Sequence, residues 1–231
     1  MAKENPTAYE PDLAMSYYNL ASLYNEIQRY DESEDMYKAA IEIQERLVKE
    51  NPKVYGPDLA MSYYNLSNLY YTIQRFEESE KMFKSAIEIH ERLAKENPKA
   101  YEPDLAHSYY KFADLYSKIQ RFNESENMYK AAIEIHERLA KENPKAYEPV
   151  LAGSYNNLAV LYYKVQRFNE SENMYKSAIE ILERLVKDNP KAYEPDLARS
   201  YINLAVLYQK IQRFDECEKM YKAAKRYKNN D

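Results

Sequence analysis

The feature of this 231-residue chain that most constrains its fold is a block of 46 residues that occurs five times in one unbroken register. The tetrapeptide Pro-Asp-Leu-Ala begins at Pro11 and returns at Pro57, Pro103 and Pro195, and Pro149 begins the same block with one substitution. A fixed period of this length is typical of proteins that stack one structural unit many times. We therefore predict a single array over residues 1–231. Its repeats are expected at about 11–56, 57–102, 103–148, 149–194 and 195–231.

The first half of each repeat has the periodicity of an amphipathic helix. In the first repeat, apolar and aromatic residues follow each other at alternating spacings of four and three, which places them on one helical face. These residues are Leu13, Tyr17, Leu20, Tyr24 and Ile27. Pro11 is expected in the first turn of the helix, where its missing backbone N–H costs nothing. Asp12 in the same turn complements the positive end of the helix dipole.

The second half of each repeat also predicts a helix. Asp31, with Glu34 three residues later, resembles a capping box, and Asn123 begins the equivalent helix of the third repeat in the same way. Asn51 and Pro52 are expected to end the helix, because a residue before proline is disfavoured in the α region. Two helices of about 18–20 residues cannot bury their apolar faces alone, whereas stacked pairs can. The sequence thus predicts an all-α fold of five helix pairs.

The composition argues against several functional classes. The two glycines, Gly56 and Gly153, are too few for a glycine-rich phosphate loop. The net charge is −5, with acidic and basic residues interspersed, so nucleic acid is not an expected partner. No apolar run approaches the roughly 20 residues of a membrane span, and no secretory signal is visible, so a membrane is not an expected partner either. With one cysteine, Cys217, we expect a cytoplasmic protein without an intrachain disulfide.

The repeat resembles the tetratricopeptide repeat. The matching positions of the first copy are Tyr17, Leu20, Ala21, Tyr24, Ser33, Tyr37 and Ala40, and those of the second are Tyr63, Leu66, Ser67, Tyr70, Ser79, Phe83 and Ala86. The 46-residue unit is longer than the common unit of about 34 residues and is similar to the long repeats of kinesin light chains. The resemblance implies a right-handed superhelical solenoid of five antiparallel helix pairs, in which the first helix of each pair lines a concave groove.

We call the side of each first helix that lies opposite its packing residues the groove face. In the first repeat, the groove face carries Met15, Tyr18, Asn19, Ser22, Asn25 and Glu26. These positions vary between repeats while the packing positions do not, which indicates a recognition surface. The candidate peptide-binding residues are Tyr18, Asn19, Tyr64, Asn65, Tyr71, Tyr110, Lys111, Lys118, Asn157, Lys164, Arg199, Asn203 and Lys210.

One groove-face position holds an asparagine in four of the five repeats. It is occupied by Asn19, Asn65, Lys111, Asn157 and Asn203 in turn. Asparagine is a mediocre helix-interior residue, so its recurrence needs an explanation. A side-chain amide can pair with both the C=O and the N–H of a peptide unit, and the resemblance suggests a ladder that holds an extended peptide by its backbone. The alternative left open is that these asparagines only satisfy contacts between helices.

The groove face is also asymmetric in charge. Its N-terminal part offers Met15, Tyr18, Met61, Tyr64 and Tyr71, whereas its C-terminal part offers Lys111, Lys118, Lys164, Arg199 and Lys210. We therefore predict that a protein or peptide partner places apolar anchors over the first part and an acidic segment over the second.

Other candidate sites are weaker. No catalytic motif is visible, so neither enzyme activity nor a cofactor is expected. His90 and His136 occupy one slot in successive repeats and are interpreted as variable surface residues, not as metal ligands. The first helix pair lacks an evident cap, which predicts end-to-end association between copies. Two classes of function remain open, a scaffold for a peptide or protein partner and a structural or engineered array without an evolved ligand.

Overall fold

The computed structural model describes residues 6–227, which form ten α-helices without any strand among them. The helices are α1 (Pro6–Glu26), α2 (Tyr30–Glu50), α3 (Pro52–Thr72), α4 (Phe76–Glu96), α5 (Pro98–Lys118), α6 (Phe122–Glu142), α7 (Pro144–Lys164), α8 (Phe168–Asp188), α9 (Pro190–Lys210) and α10 (Phe214–Arg226). The predicted all-α class is confirmed. Within the described part of the chain, no helix is both long enough and apolar enough to cross a membrane.

The chain divides into two compact units, Met1–Leu115 and Tyr116–Asp231, and the boundary falls inside α5. In the first unit, α1 packs on α2, α2 on α3 and α3 on α4. In the second unit, α6 packs on α7, α7 on α8, α8 on α9 and α9 on α10. Helices that follow each other in sequence therefore pack together within each unit. That residues 1–231 form a single array stays a prediction.

The first helix of each repeat begins five residues before the predicted start. Helix α3 begins at Pro52, and the side chain of Asn51 accepts a hydrogen bond from the backbone N–H of Val54 at 3.3 Å. The equivalent asparagines cap α5 and α7 in the same way. The prediction that Pro11 lies in the first turn was wrong, since Pro11 and its equivalents lie inside their helices. The reason is that the Asn-Pro pair that ends one helix also caps and begins the next.

The two helices of a repeat are joined by a tight turn at the Gln-Arg pair. Gln28 lies in the left-handed region with φ of 61°. The other residues with positive φ are Gln74, Gln120, Gln166 and Gln212. The backbone N–H of Arg29 then reaches back to the carbonyl of Tyr24 at 2.8 Å, which closes the end of α1. A left-handed residue with such a returning hydrogen bond is a common helix terminator.

The capping box predicted for the second helices was wrong. Helix α2 begins at Tyr30, one residue before Asp31, and no side chain caps its first turn. Asn123 likewise lies inside α6, whose start has no side-chain cap. The backbone turn already fixes the start of these helices, and the carboxylate of Glu34 is engaged by the next repeat instead.

Glu34 belongs to a group that we call the interrepeat clamp, a glutamate of one repeat bound by a tyrosine and an arginine of the next. Tyr70 donates its hydroxyl to Glu34 Oε1 at 2.9 Å, and Arg75 donates to Glu34 Oε2 at 2.5 Å. The Arg75 guanidinium also lies 4.5 Å from the centroid of the Tyr70 ring. Burial raises the pKa of Glu34, but hydrogen bonds from Lys38, Tyr70 and Arg75 outweigh burial, so this pKa lies below its ordinary value. The second unit repeats the clamp with Glu126, Tyr162 and Arg167 and with Glu172, Tyr208 and Arg213.

The packing residues of the first helices are buried in the later repeats. Leu66 and Tyr70 are only 2% and 4% exposed and pack with residues of α2. Their counterparts on α1 are more accessible, because Leu20 is 36% exposed and Tyr24 is half-buried, and Ile27 just after α1 is 54% exposed. The prediction that Leu20 and Ile27 face the packing side was therefore wrong for the first repeat. Among the described residues, no second helix of a preceding repeat covers this side of α1.

Candidate peptide-binding face

The groove face carries much of the difference between repeats, and its variable positions are exposed or half-buried. One such position is held by Met15, Met61, His107, Gly153 and Arg199. By contrast, the packing position of Ala40, Ala86, Ala132, Ala178 and Ala224 is alanine throughout and at most 3% exposed. Substitution at the exposed positions changes what the surface offers without disturbing the helix packing. The variable groove-face positions thus contrast with constant packing positions such as that of Ala40.

In the first unit, Tyr18 and Asn65 are brought together across neighbouring first helices. Asn65 Nδ2 donates a hydrogen bond to the Tyr18 hydroxyl at 2.6 Å. The Tyr18 ring packs edge-on against Tyr37 with centroids 5.9 Å apart, and its burial raises the pKa of Tyr18. Asn19 is exposed and makes no such contact. One amide N–H of Asn65 is thus used inside the protein, while the amide of Asn19 faces solvent.

An aromatic cluster lies further along the groove face of the first unit. The Tyr64 ring lies 6.0 Å from Phe83 and 5.5 Å from the His107 imidazole, and His107 in turn stacks on Tyr110 at 6.5 Å. Burial raises the pKa of Tyr64 to about 12, so its hydroxyl stays protonated at neutral pH. Tyr64 and Tyr110 were predicted as binding residues, whereas His107, although it lies on the predicted groove face of the third repeat, was not included among them. The signal that could have found His107 is its place at a groove-face position between two candidate tyrosines.

Two further candidates of the first unit pack against rings. The Lys111 ammonium lies 5.7 Å from the centroid of the Tyr110 ring, within the range of a cation–π contact. Tyr71 meets Phe76 edge-on with centroids 6.1 Å apart. Both side chains are half-buried, so each retains a surface that a ligand could contact.

In the second unit, the predicted basic residues are exposed. Lys164 Nζ donates to Ser117 Oγ at 3.2 Å, and Arg199 is paired with Asp196 on its own helix. Lys118 and Lys210 are exposed as well. No hydrogen bond or ion pair seen in the second unit joins two of these cations to a common carboxylate. They supply a positively charged surface and not a preformed anion site.

The asparagines of the second unit occupy half-buried positions. Asn157 and Asn203 are both partly accessible on their helices. Next to Asn157, the side chain of Asn156 donates to Ser200 Oγ at 2.8 Å, and its Oδ1 atom is buried without a partner among the described residues. The face therefore offers amide groups at the helix positions predicted for the ladder, in a surrounding that is partly shielded from water.

The position held by His90 and His136 in successive repeats is buried. The interpretation of these histidines as surface residues was therefore wrong. His90 and His136 are 3% and 6% exposed. The Nδ1 atom of His90 lies 3.0 Å from Ser108 Oγ, and that of His136 lies 3.0 Å from Ser154 Oγ. Burial lowers the pKa of His90, because a charged imidazole would lose its hydration there. Within residues 6–227, no cluster of three potential metal ligands is present.

Comparisons with known proteins agree with this architecture. Three family models described as tetratricopeptide repeat match the sequence, the first at residues 12–92, the second at 105–144 and 151–190, and the third at 198–231. The structure of BtubC (BKLC) from P. vanneervenii is 25% identical, with a TM-score of 0.75 over 98% of this chain and 83% of its own. A putative kinesin light chain from Podosopora anserina with nearly identical TPR-like repeats is 18% identical, with a TM-score of 0.63 over 94% of this chain and 97% of its own. The apo form of RapI is 16% identical, with a TM-score of 0.74 over 93% of this chain and 54% of its own. No curated protein matches the sequence significantly.

Proposed function

Because the chain belongs to the tetratricopeptide repeat family, we propose that it is a non-enzymatic scaffold that binds an extended segment of a partner protein along its groove face. Tetratricopeptide repeats typically serve as scaffolds for protein partners. The observation that carries the proposal is the variation between repeats at accessible groove-face positions, whereas buried packing positions such as that of Ala40 stay the same. The buried slot of Gln44, His90, His136 and Leu182 is an exception. A surface that changes from repeat to repeat suits a ligand that presents a different residue to each repeat.

The asparagines act as the backbone-binding groups in this proposal. An extended peptide exposes one N–H and one C=O per residue, and each needs a partner when water is excluded. Asn19 is exposed, and Asn203 is half-buried. Asn65 donates one amide hydrogen to Tyr18, which orients its side chain and leaves the oxygen for a peptide N–H. The Tyr18–Asn65 bond thus serves to preorganise one rung of the ladder.

Side-chain selectivity comes from the two different surfaces. The aromatic cluster of Tyr64, His107 and Tyr110 offers flat apolar area with polar edges, which suits an apolar or aromatic anchor of the ligand. In the second unit, Lys118, Lys164 and Arg199 are exposed cations that favour acidic ligand residues. The proposed partner segment is therefore apolar over one unit and acidic over the other.

A peptide-display experiment tests the proposal. A random-peptide library is selected on the parent protein and on a variant with the four ladder asparagines changed to alanine. The substitutions are Asn19→Ala, Asn65→Ala, Asn157→Ala and Asn203→Ala. A matched control carries four alanines at one exposed slot of the second helices. These are Glu42→Ala, Glu88→Ala, Glu134→Ala and Glu180→Ala.

We expect peptides to enrich on the parent and on the glutamate control but not on the asparagine variant. Circular dichroism shows whether all three proteins are folded. Equal enrichment on the asparagine variant would show that these residues serve only helix contacts. No enrichment on any of the three proteins would contradict peptide binding and favour the structural-array alternative. That alternative has some support, because residues 123–152 and 169–198 differ at only five positions.

The acidic part of the ligand is tested separately by salt. If the cations of the second unit attract an acidic segment, the Kd of an enriched peptide should rise several-fold between low and physiological ionic strength. A variant with Lys118→Ala, Lys164→Ala and Lys210→Ala should bind more weakly at low salt and lose most of the salt dependence. A Kd that is indifferent to salt in the parent would contradict the electrostatic part of the proposal and leave the asparagine ladder untouched.

A further inference from the structure

Helix α1 exposes two leucines at positions that every later first helix buries, and Ile27, the residue after α1, is exposed as well. Leu20, Leu23 and Ile27 are 36%, 51% and 54% exposed. At the positions of Leu20 and Leu23, the second repeat has Leu66 and Leu69, which are 2% and 0% exposed. Large apolar residues exposed side by side along one face of α1 and at its end mark a site of interaction.

The packing of the second repeat shows which kind of element covers this surface of a first helix. Leu66 and Leu69 belong to a cluster with Tyr37 and Ile41 of α2, and Tyr30 and Met36 pack against it. The equivalent surface of a first helix is thus covered by the N-terminal half of the second helix of the preceding repeat. A partner for α1 must present a helix of that kind.

Helix α10 is a helix of that kind, and its aromatic side chains are exposed. Phe214 occupies the position of Tyr30, and Tyr221 occupies the position of Tyr37. Phe214 and Tyr221 are 65% and 42% exposed, whereas Tyr37 is 2% exposed. The two aromatic side chains that would cover a first helix are therefore available at the surface of α10.

The charges of the two surfaces are complementary as well. Each interrepeat clamp needs a glutamate from one repeat and a tyrosine–arginine pair from the next. On α1 and its turn, the Arg29 guanidinium lies 4.6 Å from the Tyr24 ring, but its ion-pair partner is Glu32 on its own helix. On α10, Glu218 holds the clamp position, pairs with Lys222 and is 66% exposed, against 11% for Glu172. One surface has the tyrosine–arginine half of a clamp, and the other has the glutamate half.

We propose that copies of this protein associate head to tail, with the α1 surface of one copy packed on the α10 surface of the next. In this contact, Glu218 accepts hydrogen bonds from Tyr24 and Arg29 of the neighbouring copy, while Phe214 and Tyr221 cover Leu20 and Leu23. The two surfaces are different, so each copy uses both, and the contact generates open chains unless its rotation closes a ring. The interaction goes beyond peptide binding and uses a different side of the first helix.

The contact is expected to be weaker than the packing inside a unit. Lys225 replaces the buried isoleucine at the position of Ile41, and α10 has 13 residues against 21 in α2. A shorter helix with one apolar contact fewer buries less area, which is typical of concentration-dependent association. Association is therefore expected to rise between micromolar and millimolar protein.

Charge exchange tests the proposed contact on the 231-residue chain. Sedimentation equilibrium over this concentration range is measured for the parent, for Arg29→Glu, for Glu218→Arg and for an equimolar mixture of the two variants. Each single variant places like charges at the contact and should weaken association about tenfold or more. In the mixture, the head of one variant matches the tail of the other, so association should return. Lys141→Glu, which changes an exposed lysine of α6 outside both the contact and the groove face, should leave association unchanged.

The outcomes distinguish the proposed contact from nonspecific association. Rescue in the mixture can arise only if position 29 of one copy meets position 218 of another. A monomeric parent at millimolar concentration overturns the proposal. So does association that persists unchanged in both single variants, which would show that a different surface is used. Leu23→Ser provides a second check, since it should also reduce association while circular dichroism stays that of the parent.

Discussion

At the turn between the two helices of every repeat, a glutamine holds a backbone conformation that usually belongs to glycine. The φ angles of Gln28, Gln74, Gln120, Gln166 and Gln212 lie between 60° and 63°. For a residue with a Cβ atom, the left-handed region costs roughly 1–2 kcal/mol. The turn is maintained because it also places the following arginine over the ring of the preceding tyrosine, at 4.3 Å for Arg167 and Tyr162.

The strain at these glutamines predicts a stabilising substitution. Gln166→Gly should raise the free energy of unfolding by about 0.5–1 kcal/mol, because relief of the left-handed strain outweighs the greater entropy of glycine in the unfolded chain. Urea denaturation measures the change. Gln166→Ala is the matched control, since alanine keeps the Cβ atom and should give no gain. Equal effects of glycine and alanine would show that the glutamine side chain, and not its φ angle, determines stability here.

A buried histidine makes stability depend on pH. Burial holds the pKa of His90 below its ordinary value of 6.5, so the unfolded chain binds a proton at a higher pH than the folded protein does. Above about pH 6.5, His90 therefore does not change the free energy of unfolding with pH. Below that value the free energy of unfolding decreases as the pH falls, until the pH is below the pKa of His90 in the folded protein. His90→Gln, which introduces the residue found at Gln44 in the same slot, should reduce the loss of stability between neutral and mildly acidic pH.

Thermal unfolding of the parent and of the His90 variant across this pH range measures the effect. Parallel curves for the two proteins would contradict it. Glutamine fits this slot, since Gln44 occupies it in the first repeat and is 3% exposed.

At the scale of the helix, asparagine matters where it precedes proline. Asn143 caps α7 through the backbone N–H of Ala146 at 3.3 Å, whereas Asn123 lies within α6 and caps nothing. Asn143→Ala should therefore lower the free energy of unfolding by about 1 kcal/mol. Asn123→Ala, the same change at an exposed position, should stay within about 0.5 kcal/mol of the parent. A larger decrease in the free energy of unfolding for Asn123→Ala, measured by chemical denaturation, would support the capping box that the sequence suggests.

The helices could be predicted from the sequence because their packing residues repeat at helical spacing, as Leu66 and Tyr70 illustrate. The boundaries of the helices could not be predicted, because the sequence contains more than one plausible start signal for a helix. Only the tertiary contacts determine which signal is used. Pro11 is a good first-turn residue in isolation, but Asn51 and Pro52 supply both a cap and a fixed φ five residues earlier in the next repeat. Glu34 suits a capping box by its spacing, but its carboxylate instead accepts hydrogen bonds from Tyr70 and Arg75.

The candidate site was predictable only in part, for a related reason. The variable side of a helix follows from the periodicity, and so do the candidates Asn65 and Tyr64. The contacts of these side chains cross from one helix to another, as in the bond between Asn65 and Tyr18. His90 likewise forms its hydrogen bond with Ser108 of the following repeat, which no spacing within one helix reveals.

At the scale of the whole molecule, the open question is how far folding cooperativity extends. In a repeat array, stability is a sum of repeat and neighbour terms, so damage in one repeat spreads if the neighbour terms are strong. We expect Ala40→Gly, at a fully buried position of α2, to weaken the first unit by at least about 1 kcal/mol and to accelerate amide exchange in both units.

Hydrogen exchange with mass spectrometry reads the two units separately. Faster exchange confined to residues 6–115 would contradict the single array and show that the units unfold independently. Ser177→Ala, on α8 of the second unit, is the control. The equivalent residues of the first and third repeats, Ala39 and Ala131, are already alanine, so we expect no change in amide exchange.

The interrepeat clamp has a consequence for how a gene of this kind can change length. If residues 144–189 were lost through unequal crossing over between similar copies, Asn143 would be followed by Pro190, and the Asn-Pro junction would be restored. Tyr208 and Arg213 would then meet Glu126 in place of Glu172, with the same bonds that Tyr162 and Arg167 make now. The number of copies is therefore a heritable variable that mutation can alter in whole steps, each step leaving every remaining junction chemically intact.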